Sequence, residues 1–282
     1  RPGSRNPKSS RRAEDLGRFG LGLKTASFSQ CRRLTVASQR ERNSIAIRRW
    51  DLDHVARTEE WQLLLGAATG SEAYLQAHLL EPSGTVVLWE LLDRIAGDFD
   101  HDSKGDHDRF LGVAATIEQH LAMVFHRYLE GSKPSLKIYI NGSSDRHRVR
   151  PWDPFLTSHP ATISSPIETI PWGDAKITLQ GHVLPHKDRL NDAEFLAAAG
   201  PEGWNSQQGI YIYRNQRILV SGSWLELGFT REEQFKLARI QVDIPNSLDE
   251  EWDIDVKKSR ARPPLRLRNR LQMAVRGRDE VI

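Results

Sequence analysis

The sequence predicts an α+β protein in two parts, about 1–132 and 133–282. Two observations set this expectation. Residues 109–130 carry apolar side chains at helical spacing, with Phe110, Val113, Ile117, Leu121, Val124 and Tyr128 near one face. Beyond the break at Gly131-Ser132-Lys133-Pro134 the chain turns strand-like, with short apolar runs bounded by turn residues. No internal repeat and no low-complexity tract interrupts either part.

The elements follow in order. Residues 1–16 read as a polar loop, punctuated by Gly3, Pro7 and the Ser9-Ser10 pair. Three glycines, Gly17, Gly20 and Gly22, then lead into a helix-compatible run through Cys31. Residues 34–37 and 44–50 read as strands joined by a charged hairpin, and 55–80 as short helices. The β-rich run 84–90 is bounded by Pro82 and Gly84, and the polar stretch 98–108 is expected as a surface loop before the helix of 109–130. In the second part, 136–140 reads as a strand ending at the hairpin signal Asn141-Gly142, and 176–184 as another. Residues 209–214 and 217–220 form a hairpin about Asn215-Gln216, and 237–244 is a further strand. Helices are expected at 191–199, 231–236 and 264–276.

The chain has 282 residues, 38% hydrophobic and 27% charged, with a mean hydropathy of −0.55. That composition supports a buried core. No stretch approaches the roughly 20 apolar residues of a membrane helix, and the basic start leads into no apolar run, so a cytoplasmic protein is expected. A single cysteine, Cys31, excludes an internal disulfide framework and a thiolate zinc cluster; core packing is its expected role. Charge is unevenly placed. Residues 1–12 hold five basic side chains and 257–278 nine more, none with an acidic neighbour in those stretches. Residues 13–256 carry 26 basic against 35 acidic side chains. Basic ends on an acidic body suit phosphates, of a nucleotide or of nucleic acid, or are two solvated ends.

Three glycines before a helix can serve phosphate binding, because they let backbone N–H groups turn toward an anion and the helix start adds partial positive charge. Lys24 would add a point charge. The spacing is not that of a Walker A loop, and no clear strand leads into it as a dinucleotide-binding turn requires. A glycine-rich turn of this kind serves structure as readily as it serves a ligand.

The fuller string Leu16-Gly17-Arg18-Phe19-Gly20-Leu21-Gly22-Leu23-Lys24-Thr25-Ala26 resembles the third nucleotide motif of the GHKL ATPases, the superfamily of gyrase B, Hsp90, histidine kinases and MutL. It looks most like the MORC and Hsp90-like version, with an aromatic between the first glycines. In that family the motif closes the ATP lid, and its amides and lysine approach the phosphates. The resemblance therefore implies cofactor contacts from Gly17, Phe19, Gly20, Leu21, Gly22, Leu23, Lys24 and Thr25. Gly3-Ser4-Arg5-Asn6-Pro7 looks like the start of the lid. Gly84-Thr85-Val86-Val87 is similar to the late strand whose threonine, here Thr85, lies near the adenine; an ordinary core strand explains the same residues.

The string Gly209-Ile210-Tyr211-Ile212-Tyr213-Arg214-Asn215-Gln216-Arg217-Ile218-Leu219 resembles a strand pair of the family's transducer domain, which has a ribosomal S5 domain 2-like fold. That domain usually supplies a basic residue to the γ-phosphate. Asp253-Ile254-Asp255-Val256-Lys257-Lys258-Ser259-Arg260 sits where its loop should be, which implies Lys257 first and Lys258 second, or Arg260 on a strict MutL-like alignment.

The implied architecture is the C-terminal part of a Bergerat-type GHKL domain over 1–132 and a transducer domain over 133–282. The Glu and Asn of the first GHKL motif and the Asp-x-Gly-x-Gly of the second are not found in the sequence. The expectation is an N-terminally truncated fragment of an ATPase, inactive alone. With ATP and Mg²⁺ the complete protein would work as a homodimeric clamp on DNA or a protein client. The alternative is a non-catalytic interaction or nucleic-acid-binding module; a chaperone-like role is a further one. Asp100, His101, Asp102, Asp106, His107 and Asp108 have metal-ligand chemistry, but their spacing fits no known metal loop. Trp152, Trp172, Trp204, Trp224 and Trp252 are expected as core anchors. The Arg-rich segment 260–270 suits nucleic-acid phosphates or an exposed helix.

Overall fold

The structure, a computed structural model, describes residues 16–17, 22–40, 45–78, 82–93, 97, 99–100, 102–249, 251–252 and 261–276. The fold is mixed α+β, as expected, in two compact units. Among the described residues the first unit takes 22–111 and the second takes 16–17 with 112–276.

The first unit runs α1 (Gly22–Phe28), β1 (Arg33–Gln39), β2 (Ala46–Asp51), α2 (Leu52–Thr58), β3 (Leu64–Leu65), α3 (Glu72–His78) and β4 (Gly84–Glu90). β1 is central. It pairs antiparallel with β2, Leu34 opposite Trp50, and with β4, Ser38 opposite Thr85, giving the order β3-β2-β1-β4. α2 starts where Asp51 turns its carboxylate onto the amides of Asp53 and His54, at 3.1 and 3.2 Å, so an N-cap ends the strand and opens the helix in one residue. Among the described residues the unit's apolar core is small: Cys31, Leu34, Ala37, Ala68 and Leu75 are buried. Cys31 packs as expected, and burial pushes its thiol pKa up. The indole of Trp89 on β4 donates to Ser27 Oγ at 2.9 Å, which ties α1 to the sheet.

A long helix, α4 (Lys104–Val124), contains the division between units, which falls after Leu111. Its first turn occupies residues expected as loop. The reason is local: Ser103 Oγ accepts from the Asp106 amide at 3.3 Å, a Ser-x-x-Asp start signal that polarity concealed. The expected apolar face is only partly buried. Phe110, Val113 and Ile117 are exposed, whereas Met123 and Val124 are buried. The helix stops at Val124, and α5 (His126–Leu129) follows after Phe125.

The second unit continues with β5 (Ile163–Ser164), β6 (Glu168–Trp172), β7 (Ala175–Val183), α6 (Asp192–Ala198), β8 (Gly209–Arg214), β9 (Arg217–Ser223), β10 (Ala238–Ile244) and α7 (Leu265–Arg276). The sheet order is β5-β7-β10-β8-β9, with β6 also on β7. Among the described residues only β8 and β10 pair in parallel. Every residue of β8 is buried, and its alternation sorts two cores. Ile210 and Ile212 face Leu179, Val242 and the α7 residues Leu267, Leu271 and Val275. Tyr211 and Tyr213 face Met123, Val124 and Phe155. Burying each α7 anchor contributes about 1.5–3 kcal/mol. The β8–β9 hairpin turns where expected, with Asn215 and Gln216 both at positive φ, as a two-residue primed turn requires. α6 is closed by a full capping box between Asn191 and Glu194.

Besides α4, further elements differ from expectation: β5 and β6 form where no strand was expected. Residues 136–140 make only an isolated bridge, Tyr139 to Arg148, because the chain after Asn141-Gly142 closes into a 3₁₀ turn at Asp145–His147 instead of a second strand. Residues 231–236 form a 3₁₀ turn, Glu233–Phe235, in place of an α-helix. Trp204, Trp224 and Trp252 are core residues, and Trp152 and Trp172 pack half-buried with their indoles bonded to Ala197 O and Glu251.

Candidate functional site

The glycine string lies at the start of the first unit's helix. Gly22 is the first residue of α1, and Lys24 is half-buried in its first turn. Leu23 and Thr25 are exposed, with Thr25 Oγ1 donating to Gly22 O at 3.4 Å. No acidic residue stands in that turn, so nothing there repels an anion. Neither Gly22 nor Gly17 has a positive φ or a described neighbour within 4 Å of where a Cβ would stand. Packing among the described residues thus does not demand glycine at either position. Phe19, Gly20 and Leu21 also lie outside the described residues, as do Lys257, Lys258 and Arg260. Thr85 is exposed on β4, its hydroxyl 2.9 Å from Ser38 Oγ across the ladder.

In the second unit, arginines surround the β8–β9 turn. Arg214 is buried to 1% exposure; its Nη1 donates to Asp249 Oδ2 and its Nη2 to the carbonyl of Leu16, both at 2.6 Å. Leu16 is the residue immediately before Gly17. Across the hairpin, Arg217 is half-buried near the Phe125 ring. Among the described residues it has no carboxylate partner, and burial, reinforced by Arg214, depresses its pKa. Arg127 makes a two-pronged pair with Asp243 and stacks over the Tyr213 ring at 3.6 Å. His126 is buried between Glu130 and the Tyr213 hydroxyl, 2.7 Å away on the Nε2 side. Its pKa is lowered, chiefly by burial, against an opposing pull from Glu130.

Sequence reasoning missed these arginines as a group. The signal was the pair flanking the turn in Tyr213-Arg214-Asn215-Gln216-Arg217, since residues either side of a two-residue turn stand opposite one another. Among the described residues no group of three His, Cys, Asp or Glu could hold a metal ion. No helix of the described residues is long and apolar enough to cross a membrane.

Residues 1–85 match the family model of the histidine kinase-, DNA gyrase B-, and HSP90-like ATPases. The GHKL-like stretch thus contains the glycine string, α1 and the chain up to Thr85. No curated protein matches the chain. Among solved structures it is similar to the ATPase domain of the mismatch repair endonuclease MutL from the bacterium Aquifex aeolicus, at 11% identity over 80% of this chain and 71% of that one. The TM-score of that pair is 0.31.

Proposed function

We propose that the chain carries the lid motif and transducer of a GHKL ATPase of the MORC or Hsp90-like kind: 1–132 the later part of the nucleotide domain, 133–282 the transducer. The observation that carries the reading is the glycine string, which lies within the stretch matching the GHKL family model and leads into α1 with Lys24 in the first turn. In this reading the amides around Gly20 and Gly22 and the Lys24 ammonium hold the phosphates of ATP. Lys257, with Lys258 or Arg260 as substitutes, reaches the γ-phosphate, and Thr85 lies toward the adenine. Bound Mg²⁺ would neutralise phosphate charge during hydrolysis. Its ligands and the water-activating Glu belong to motifs this sequence does not contain, so the chain addresses phosphates and does not hydrolyse ATP. The complete assembly is a nucleotide-gated homodimeric clamp on DNA or a protein client.

Calorimetric titration tests this. The chain should bind inorganic tripolyphosphate and a non-hydrolysable ATP analogue alike, weakly and without Mg²⁺, with adenosine failing to compete. Lys24→Ala should weaken binding about tenfold, the loss of one charge-assisted contact. Failure of tripolyphosphate to bind would refute the phosphate role. Tight Mg²⁺-dependent binding with turnover would show a complete site and refute the division of labour.

A second reading, a nucleic-acid module, draws on Arg262, Arg266 and Arg270, which are exposed at four-residue spacing along and just before α7. Arg270 already pairs with Glu168 at 2.8 Å. Under this reading duplex DNA binds and its affinity falls steeply with added salt.

A further inference from the structure

We infer that Arg214 is a positioning residue, a buried strut that fixes the segment leading into the glycine string. This deepens the nucleotide reading and rests on it for its functional meaning, but the strut itself is read from geometry alone.

The observations converge on one guanidinium. Arg214 closes β8, the most buried strand of the second unit, and its side chain is 1% exposed. A buried cation needs fixed partners; Arg214 has them on both terminal nitrogens, while its Nε is buried without one. Here the two terminal nitrogens are divided. Nη1 meets the Asp249 carboxylate, itself 2% exposed, and Nη2 meets the carbonyl of Leu16, 198 positions earlier in the chain. The planar fork sets the angle between these partners, so the position of Leu16 follows from the position of Asp249. Asp249 is in turn held by a 3₁₀ turn, Asn246–Leu248, with Leu248 in the main core.

The sequence neighbours of the two partners give the strut its meaning. Leu16 is followed by Gly17 and the glycine string. Asp249 stands eight positions before Lys257, the first of the basic residues assigned to the γ-phosphate. One side chain therefore anchors the stems of both segments that the nucleotide reading turns toward phosphate. Packing alone would place an aliphatic residue at the end of β8. A side chain with several donors can link a carboxylate on one stem to a backbone carbonyl on the other, and Arg presents its donors in a fixed planar fork. Leu16 offers no side-chain hook, so a sequence comparison of this stem would not reveal the tie.

Hydrogen–deuterium exchange of the ligand-free chain tests the strut, with Arg214→Lys as the first variant. Lysine keeps a cation for Asp249 and has one ammonium where arginine has two arms. The double variant Arg214→Met/Asp249→Leu removes both charges together and leaves no buried carboxylate unpaired. In both, peptides spanning 14–24 should exchange at least threefold faster, the double variant more, while peptides of β8 and β10 keep the parent's protection. Unchanged exchange over 14–24 in a variant whose β8 and β10 remain protected overturns the inference. If β8 loses protection in the double variant, Arg214→Lys decides alone. Tripolyphosphate titration separates the two readings. A parent chain that binds it, and an Arg214→Lys chain that binds it three- to tenfold more weakly, support strut and phosphate role together. Faster exchange in a chain that never binds tripolyphosphate supports the strut and overturns the nucleotide reading.

Discussion

Gly222→Ala should be among the most damaging single-methyl additions in the second unit. Gly222 sits at φ +56° on β9, where β9 carries one more residue than β8 between the pairs Ile210–Ser223 and Ile212–Val220. This is a bulge with its glycine in the left-handed region. An added Cβ would stand 2.2 Å from Ser206 O and 3.0 Å from Gln207 Cα, both backbone atoms of a loop packed on the sheet. Two costs follow. Holding alanine in the left-handed region costs about 1–2 kcal/mol. Displacing packed backbone costs a further ~1–3 kcal/mol. The expected loss is about 2–5 kcal/mol, from the two principles together. Gly203 supplies the control: its φ is +84°, but nothing lies within 4 Å of its Cβ position. Gly203→Ala should lose only the conformational part, about 1–2 kcal/mol. Urea unfolding followed by tryptophan fluorescence measures both, with unchanged m-values required for the comparison. Equal losses in the two variants would refute the steric argument, and a loss under about 1 kcal/mol at Gly222 would refute the strain argument as well.

Three further outcomes are expected. Leu271→Ala, at a fully buried α7 position, should cost about 2–5 kcal/mol, whereas Met273→Ala, 70% exposed, should stay within about 0.5 kcal/mol in the same thermal scan. Asn191→Ala should remove about 0.5–2 kcal/mol by opening the capping box of α6, read as a lower midpoint in urea. Acid should weaken the second unit through His126: burial holds its folded pKa below the unfolded value near 6.5, so the unfolded chain takes the proton first. Stability should therefore fall as pH drops below about 6.5, by at most ~1.4 kcal/mol per unit, and His126→Gln should flatten that limb. A midpoint that rises from pH 6.5 to 5 would instead mean that Glu130 wins and the ring is held charged.

Four strands of the second unit's sheet, β7 to β10, were legible because their apolar runs announce them; the short β5 and β6 were not. Continuous apolar runs flank Asn215-Gln216, and the turn formed there. The same signal at Asn141-Gly142 misled, since hairpin chemistry fixes a turn but not what pairs beyond it; only Tyr139 and Arg148 bridge. Polarity hid the start of α4, where Ser103 and Asp106 cap a helix that mean hydropathy would place in solvent. Spacing gave the helix but not its surroundings: Phe110 and Ile117, on the apolar face, are exposed. At the candidate site, the string up to Lys24 is readable because glycines before a helix have a chemical reason to be there. Arg214 was unreadable, because its partners are a carbonyl near one end of the chain and a carboxylate near the other, and no local period links them.

The sheet order has a consequence for how the protein is made. β10 lies between β7 and β8, yet it is the last of the three to be synthesised. Until it emerges, the facing edges of β7 and β8 present unpaired backbone groups, and β8 has only β9 beside it. At about 5–20 residues per second, the 61 positions from Val183 to Ile244 take about 3–12 s to translate. For that interval the nascent chain carries an open, apolar strand edge of the kind that pairs with neighbours. Slow non-local closure then leaves this edge open to mispairing until β10 arrives.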